Sequence, residues 1–147
     1  MSVQANDLQA IAFFRDLNFS KLEAIAKLCQ WTRFESGQTL AQERILGKSV
    51  FLIMEGKVEI SFNIGEGGPI KVDEIGRDEF VGCAALVPPY SYNSTISALT
   101  PVNTLSIDAT GLRKMADQDD QLAAYLYQHL LQALVDRIVL LRLQVGR

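Results

Sequence analysis

Between Trp31 and Ile107 the apolar residues keep a period of two, broken at short intervals by turn formers, and this restricts the middle of the chain to a stack of short strands. Val58, Ile60 and Phe62 alternate with Lys57, Glu59 and Ser61, which places the two sets on opposite faces of a strand. The same reading predicts strands over Trp31–Glu35, Ser49–Met54, Lys57–Asn63, Ile70–Ile75, Thr95–Leu99 and Val102–Ile107. Turns fall at Ser36-Gly37, Glu55-Gly56, Gly65–Pro69 and Thr100-Pro101. Several short strands at this spacing pack as a β sandwich or jelly roll.

On both flanks the period lengthens to that of a helix. From Leu8 to Gln30, Leu8, Ile11 and Ala12 are followed by Leu22, Ile25, Ala26 and Cys29 at helical spacing, which predicts two short helices. The break is placed at Asn18-Phe19-Ser20, with Ser20 and Glu23 as a capping box and Phe13, Phe14 and Leu17 packed at the junction. Asp117 to Val145 reads as the longest helix, started by Asp119 or Asp120. Along it Ala124, Tyr127, Leu131, Leu134, Ile138, Leu141 and Val145 keep an unbroken three-four spacing, the seam of a helix pair. A second stripe, Leu122, Leu126, Leu130 and Ala133, is expected to pack on the chain's own barrel. One helix cannot bury two apolar faces in one small core, so a homodimer through Tyr127, Leu131, Leu134, Ile138, Leu141 and Val145 is expected, the alternative being a helix folded back into a groove. The fold class that results is α+β: a jelly-roll barrel flanked by an N-terminal helix pair and a long C-terminal helix.

A length of 147 residues with 48% hydrophobic and 21% charged residues suits one core. The expected organisation is therefore a single domain over 1–147, with helices over 1–30, a β-roll over 31–108 and C-terminal helices over 109–147. Fourteen basic against 17 acidic residues give a net charge of -3, which supplies no general field for a polyanion. Arg137, Arg142 and Arg147 read as a solvated helix face, and no direct nucleic-acid partner is expected. Asp7 near the N-terminus, and Gln132, Asp136, Arg137 and Arg142 within Leu130–Leu143, argue against a secretion signal or a membrane span. Cys29 and Cys83 lie in separate segments without metal-ligand spacing and read as reduced thiols, in keeping with a cytoplasmic location. The sole histidine, His129, sits mid-helix; Asp119, Asp120 and Asp136 share its helix or helix start and no nucleophile elbow accompanies them, so neither a metal site nor an enzyme is expected.

Specific residues then resemble the cyclic-nucleotide-binding domain family along nearly the whole chain. They are Ile11-Ala12-Phe13-Phe14 with Leu17, Leu22 and Ile25, the strand-turn-strand from Val50 through Glu55-Gly56-Lys57 to Ile60, and the final strand Leu105-Ser106-Ile107-Asp108. The most specific piece resembles the family's phosphate-binding cassette: phenylalanine, glycine, glutamate, any residue, alanine and leucine there, and Val81-Gly82-Cys83-Ala84-Ala85-Leu86 here. Glycine lets backbone approach a ligand, and free amides at a helix start point at its phosphate. The resemblance implies that the ribose-gripping glutamate falls on Cys83 and the phosphate-pairing arginine on Tyr92, in a ligand-facing stretch that continues through Asn93, Ser94 and Thr95. A thiol and a phenol supply neither charge. No arginine or lysine lies between Arg77 and Arg113, so Arg77 is the one local substitute, and only if its turn curls inward. Tyr90 and Tyr92 either stack on another planar ligand or fill the pocket themselves. For Cys83, an inert buried thiol stands beside a redox thiol activated at a helix start.

The expected function is a non-enzymatic sensor or regulatory module that holds cyclic AMP or cyclic GMP weakly or not at all, with no cofactor beyond such a weakly held nucleotide or another small ligand. The alternatives are a cyclic-AMP receptor with a rebuilt pocket, or a dimerisation and protein-interaction module. Many relatives pass the terminal helix into a DNA-binding winged helix; here the chain stops at Arg147, and regulation of a protein partner through Lys114–Arg147 is expected instead.

Overall fold

A computed structural model describes residues 2–145, and Arg147, expected on the helix face, lies outside them. The chain divides into two compact units, Met1–Leu112 and Arg113–Arg147.

In the first unit α1 spans Ala5–Gln9, a single 3-10 turn spans Ala12–Phe14, and α2 spans Phe19–Ala26. The Gln4 amide donates to Asp7 Oδ2 at 2.8 Å, which settles one of the unpaired groups at the start of α1. The cap of α2 is Asn18, whose Oδ1 accepts from the Lys21 amide at 3.0 Å. Ser20, expected as the cap, instead lies inside the helix and donates its hydroxyl to Asn18 at 3.2 Å. Asparagine is at least as good a cap as serine and comes first in the chain, so it takes the position. Cys29 and Gln30 also leave the expected helix, because Lys27 ends it and the first strand begins at Cys29.

Eight strands follow: β1 Cys29–Phe34, β2 Thr39–Ala41, β3 Ser49–Glu55, β4 Val58–Asn63, β5 Pro69–Ile75, β6 Phe80–Val81, β7 Thr95–Ala98 and β8 Val102–Asp108. They form two antiparallel four-stranded sheets, ordered β1-β8-β3-β6 and β2-β7-β4-β5. This is the expected jelly roll. The expected strands sit within a residue or two of the observed ones, while β2 and β6, of three and two residues, are too short to show a period and were not expected.

Register assigns the faces of the first sheet. Leu52 pairs with Leu105 and Phe80, and Val50 with Ile107, so these side chains share one face. Phe80 on that face meets Phe13 edge-on at 4.6 Å, and Cys29 Sγ reaches Ile25 O at 3.3 Å, so this face carries the helical layer. Leu8, Phe14, Leu22 and Ile25 are fully buried there. The opposite face holds Thr32, Thr104, Ser106, Phe51 and Val81; Thr104 donates to Thr32 O and Ser106 to Thr32 Oγ1, both at 3.0 Å, which satisfies the two buried hydroxyls.

The outer strand of the second sheet, β5, begins with a proline and carries an extra residue, since Ile60 pairs with Asp73 but Ser61 with Lys71. Lys71 on it is ion-paired with Glu59 at 3.7 Å and with Glu74.

After β8, α3 runs Ala109–Gln118 and α4 runs Asp120–Val145. Asp119, one of the two expected caps, starts α4: its carboxylate accepts from the Leu122 amide at 3.0 Å, so the long helix begins at Asp120 while Asp117 and Gln118 belong to α3. A Cβ at Gly111 would stand 2.5 Å from Leu28 Cδ2, so a larger residue there would require the Leu28 side chain to move. On α4, Leu122, Leu126 and Leu130 of the second stripe are buried but Ala133 is exposed, and no residue from Leu131 to Val145 is buried. Among the described residues no helix is long and apolar enough to cross a membrane.

Candidate functional site

The site is built where β6 leaves the first sheet. Two ladder pairs, Phe51 with Val81 and Leu52 with Phe80, bring the chain beside the start of β3. Gly82 then takes φ +80°, a left-handed conformation that side chains rarely adopt. It has little space as well as an unusual angle: a Cβ on Gly82 would lie 3.2 Å from Tyr92 Cε1 and 3.3 Å from Ser49 O. Cys83–Leu86 winds into one 3-10 turn, with the Ala85 amide donating to Gly82 O at 3.1 Å and Ala85 and Leu86 buried. The expected helix at this point is therefore only four residues long.

A second segment closes over this turn. Gly47 passes so near that a Cβ on it would lie 2.6 Å from Ala85 Cβ. The Gly47 amide donates to Tyr90 O at 2.7 Å, the Tyr92 amide to Ile45 O at 3.0 Å and the Arg44 amide to Tyr92 O at 2.8 Å. Residues 44–47 and 90–92 are thereby laced together, and the intervening turn contains a cis Pro88-Pro89 bond.

Tyr92 is the central side chain. Its ring is buried against Gly82, and its hydroxyl donates to Ser49 O at 2.7 Å while accepting from the Ser49 amide at 3.2 Å. Burial raises the phenol's pKa and the Ser49 and Lys48 backbone bonds pull it partly back, so the group is a neutral donor near pH 7. Of its two open possibilities, stacking on a ligand or filling space in its own chain, the Tyr92 ring is engaged in the second. Tyr90, half-buried, holds φ +69° at the rim.

The remaining expected site residues divide. Val81, Ala85 and Leu86 are buried packing; Gly82, Cys83 and Ala84 are half-buried. Asn93 is exposed, Ser94 half-buried, and Thr95 Oγ1 accepts from the Glu43 amide at 3.1 Å and from Gln42 Nε2 at 3.3 Å, so Thr95 holds a loop. Burial pushes the Cys83 thiol up to about 11 and Cys29 to about 12. The activated thiolate considered for Cys83 is thus not what the site provides, because one short turn gives less dipole than burial takes away. Arg77 stays on an exposed turn, 3.8 Å from Asp78. Gly47 and Ser49 were not singled out from sequence; a glycine two residues ahead of a strand was their only signal. His129 stacks on Tyr125 at 4.0 Å within α4, with Nδ1 2.8 Å from Tyr125 O. Among the described residues no group of three or more His, Cys, Asp or Glu is arranged to hold a metal.

On α4, the expected seam residues Tyr127, Leu131, Leu134, Ile138 and Val145 are exposed and Leu141 is half-buried. They lie along one helical stripe whose outer half carries Leu131 at 61% and Val145 at 88% exposure.

Comparison with known proteins bears on this arrangement. The family described as the cyclic nucleotide-binding domain matches residues 31–119. The chain is 32% identical over 100 residues to the acetyltransferase Pat of Mycolicibacterium smegmatis, covering 68% of this chain and 30% of that protein. It is 25% identical over 114 residues to the CRP-like cAMP-activated global transcriptional regulator of Mycobacterium tuberculosis, covering 77% and 51%. The chain thus spans about half or less of the curated relatives it matches. Among solved structures, a candidate cyclic nucleotide-binding protein from Geobacter metallireducens superposes with a TM-score of 0.84 at 24% identity, covering 92% of this chain and 98% of that one. A cAMP-binding acyltransferase from Mycobacterium smegmatis superposes at 0.68 with 25% identity, covering 87% and 38%.

Proposed function

The chain belongs to the cyclic nucleotide-binding domain family, and from that premise we propose that it is a non-enzymatic regulatory module whose nucleotide pocket is occupied by its own Tyr92. Its fold is that of the family's sensor domains. The observation that carries the reading is the Tyr92 hydroxyl, bonded at 2.7 and 3.2 Å to both backbone groups of Ser49 while its ring covers Gly82. In the same cassette a thiol stands at Cys83, so the stretch from Val81 to Thr95 offers a nucleotide neither a carboxylate for the ribose nor a cation for the phosphate. Charge-assisted hydrogen bonds are worth roughly 1.5–3 kcal/mol each, and the lack of two of them weakens binding by about two to four powers of ten. Calorimetric titration with cyclic AMP and cyclic GMP is the test. No heat of binding up to millimolar nucleotide is expected; micromolar binding by either would establish a receptor with a rebuilt pocket.

That second reading draws support from the relatives, one described as cAMP-activated and another as cAMP-binding. The acetyltransferase relative extends well beyond the matched segment. The match to the nucleotide-binding family over residues 31–119 supports a regulatory role for this segment.

The output of the module is a homodimer through α4, or a regulatory protein that uses the same helix. Ile138 and Val145 alternate with Leu134 and Leu141 along the seam, and β-branched residues at one core position with leucine at the other favour two strands. Two unbridged cysteines fit a reducing cytoplasm. Light scattering at micromolar protein should give the mass of two chains; a stable monomer would remove the seam from the proposal.

A further inference from the structure

The rim of the cassette turns apolar side chains outward. Ile45 and Leu46 are 57% and 58% exposed, and across the laced backbone Val87 is 61% exposed, followed by exposed Pro88 and Pro89. Both segments are held rigidly. Arg44 and Tyr90, one in each, take left-handed φ angles of 72° and 69°. For side chains other than glycine this costs on the order of 1 kcal/mol or more per residue, and it persists only where surroundings enforce it. Here the enforcing contacts are the 2.7–3.0 Å bonds between Arg44, Ile45 and Gly47 on one side and Tyr90 and Tyr92 on the other. The apolar groups are therefore displayed from a backbone path fixed by hydrogen bonds, and a surface fixed in advance loses little entropy when it is covered.

Charge defines what would cover it. Arg44 and Lys48 bracket Ile45-Leu46, both are exposed, and among the described residues neither side chain has a carboxylate partner. We propose that the rim formed by Arg44–Lys48 and Val87–Tyr90 is a docking surface for an acidic amphipathic segment of a partner protein. Ile45, Leu46 and Val87 receive its apolar anchors, and Arg44 and Lys48 its carboxylates. An anionic membrane fits less well: two cations contribute only about 1 kcal/mol each at such a surface, and the chain as a whole carries -3. The surface uses outward side chains and not the pocket interior, so it stands whether or not the pocket admits a nucleotide.

The experiment pans a phage-displayed random dodecapeptide library against the whole chain. The expected consensus places two or more Asp or Glu beside Leu, Ile, Phe or Trp. A selected peptide should shift the amide resonances of residues 44–48 and 87–91, and its affinity should fall about tenfold in Lys48→Glu and about tenfold in Leu46→Ser. Both positions are exposed, and unchanged thermal unfolding of the variants shows that the loss lies in binding. No selected peptide, a basic or neutral consensus, or undiminished binding by both variants would overturn the proposal. So would cosedimentation of the chain with phosphatidylglycerol vesicles that the same two variants abolish, since the surface would then serve a lipid.

Discussion

At the cassette, Tyr92 finds both of its hydroxyl partners on Ser49 and its ring partner on Gly82, all within one unit of the chain. Along α4, by contrast, no side chain from Leu131 to Val145 is buried, although most of them are apolar. The first region has closed on itself; the second has not. A buried polar group is satisfied by one or two partner atoms, which another segment of the same unit can supply, whereas an apolar helical stripe needs a second surface of matching length. If the molecule has a dependence on something outside itself, the helix is where the physics demands it most.

Four perturbations bear on that contrast, from the largest effect downward. Leu134→Glu with Ile138→Glu should abolish the dimer at micromolar protein, because each apolar side chain kept from burial forfeits roughly 1.5–3 kcal/mol and a dimer contains two of each. Light scattering reads this directly, and an unchanged mass would mean that the seam is idle. Tyr92→Ala should cost about 3–5 kcal/mol in urea unfolding, as for other buried aromatic truncations. A cost below about 1 kcal/mol would show that the ring does not fill the site it covers, and would blur the contrast with α4. Gly47→Ala should cost about 1–3 kcal/mol through the 2.6 Å approach to Ala85, while Gly67→Ala, with open space around it, should cost little. The effect that is smallest at neutral pH is on alkaline stability. Burial holds the folded thiols of Cys83 and Cys29 at about 11 and about 12 against an ordinary value of 9.0. Above pH 9 the unfolded chain releases these protons and the folded chain keeps them, so stability should decline from pH 9 toward 11. Cys29→Ala together with Cys83→Ala should flatten that decline.

The strands were legible where they were long enough to alternate, and the roll followed from them. Two short strands were not, since two or three residues carry no period, and β6 is defined only by its pairing with Phe51 and Leu52. The N-terminal helix boundary slipped for a local reason, since Asn18 outcompeted Ser20 as a cap, whereas the start of the long helix was legible in the cap residue Asp119. The cassette was visible through Gly82 and its neighbours, but its closure was not. Ser49 contributes only backbone groups to Tyr92, and a backbone contact leaves no mark on residue type. Gly47 left a fainter one, since glycine ahead of a strand serves many ends. The pairing of Arg44–Gly47 with Tyr90–Tyr92 joins residues more than forty positions apart, beyond the reach of any local pattern.

One edge of the second sheet bears on how this protein behaves when crowded. Its outer strand β5 starts at a proline that has no N–H to offer, bends at an extra residue opposite Ile60–Ser61, and presents a lysine already engaged by Glu59 and Glu74. A neighbouring chain seeking to extend the sheet finds a missing donor, a broken repeat and a charge that resists desolvation. Strand-on-strand growth into fibres is disfavoured at this edge.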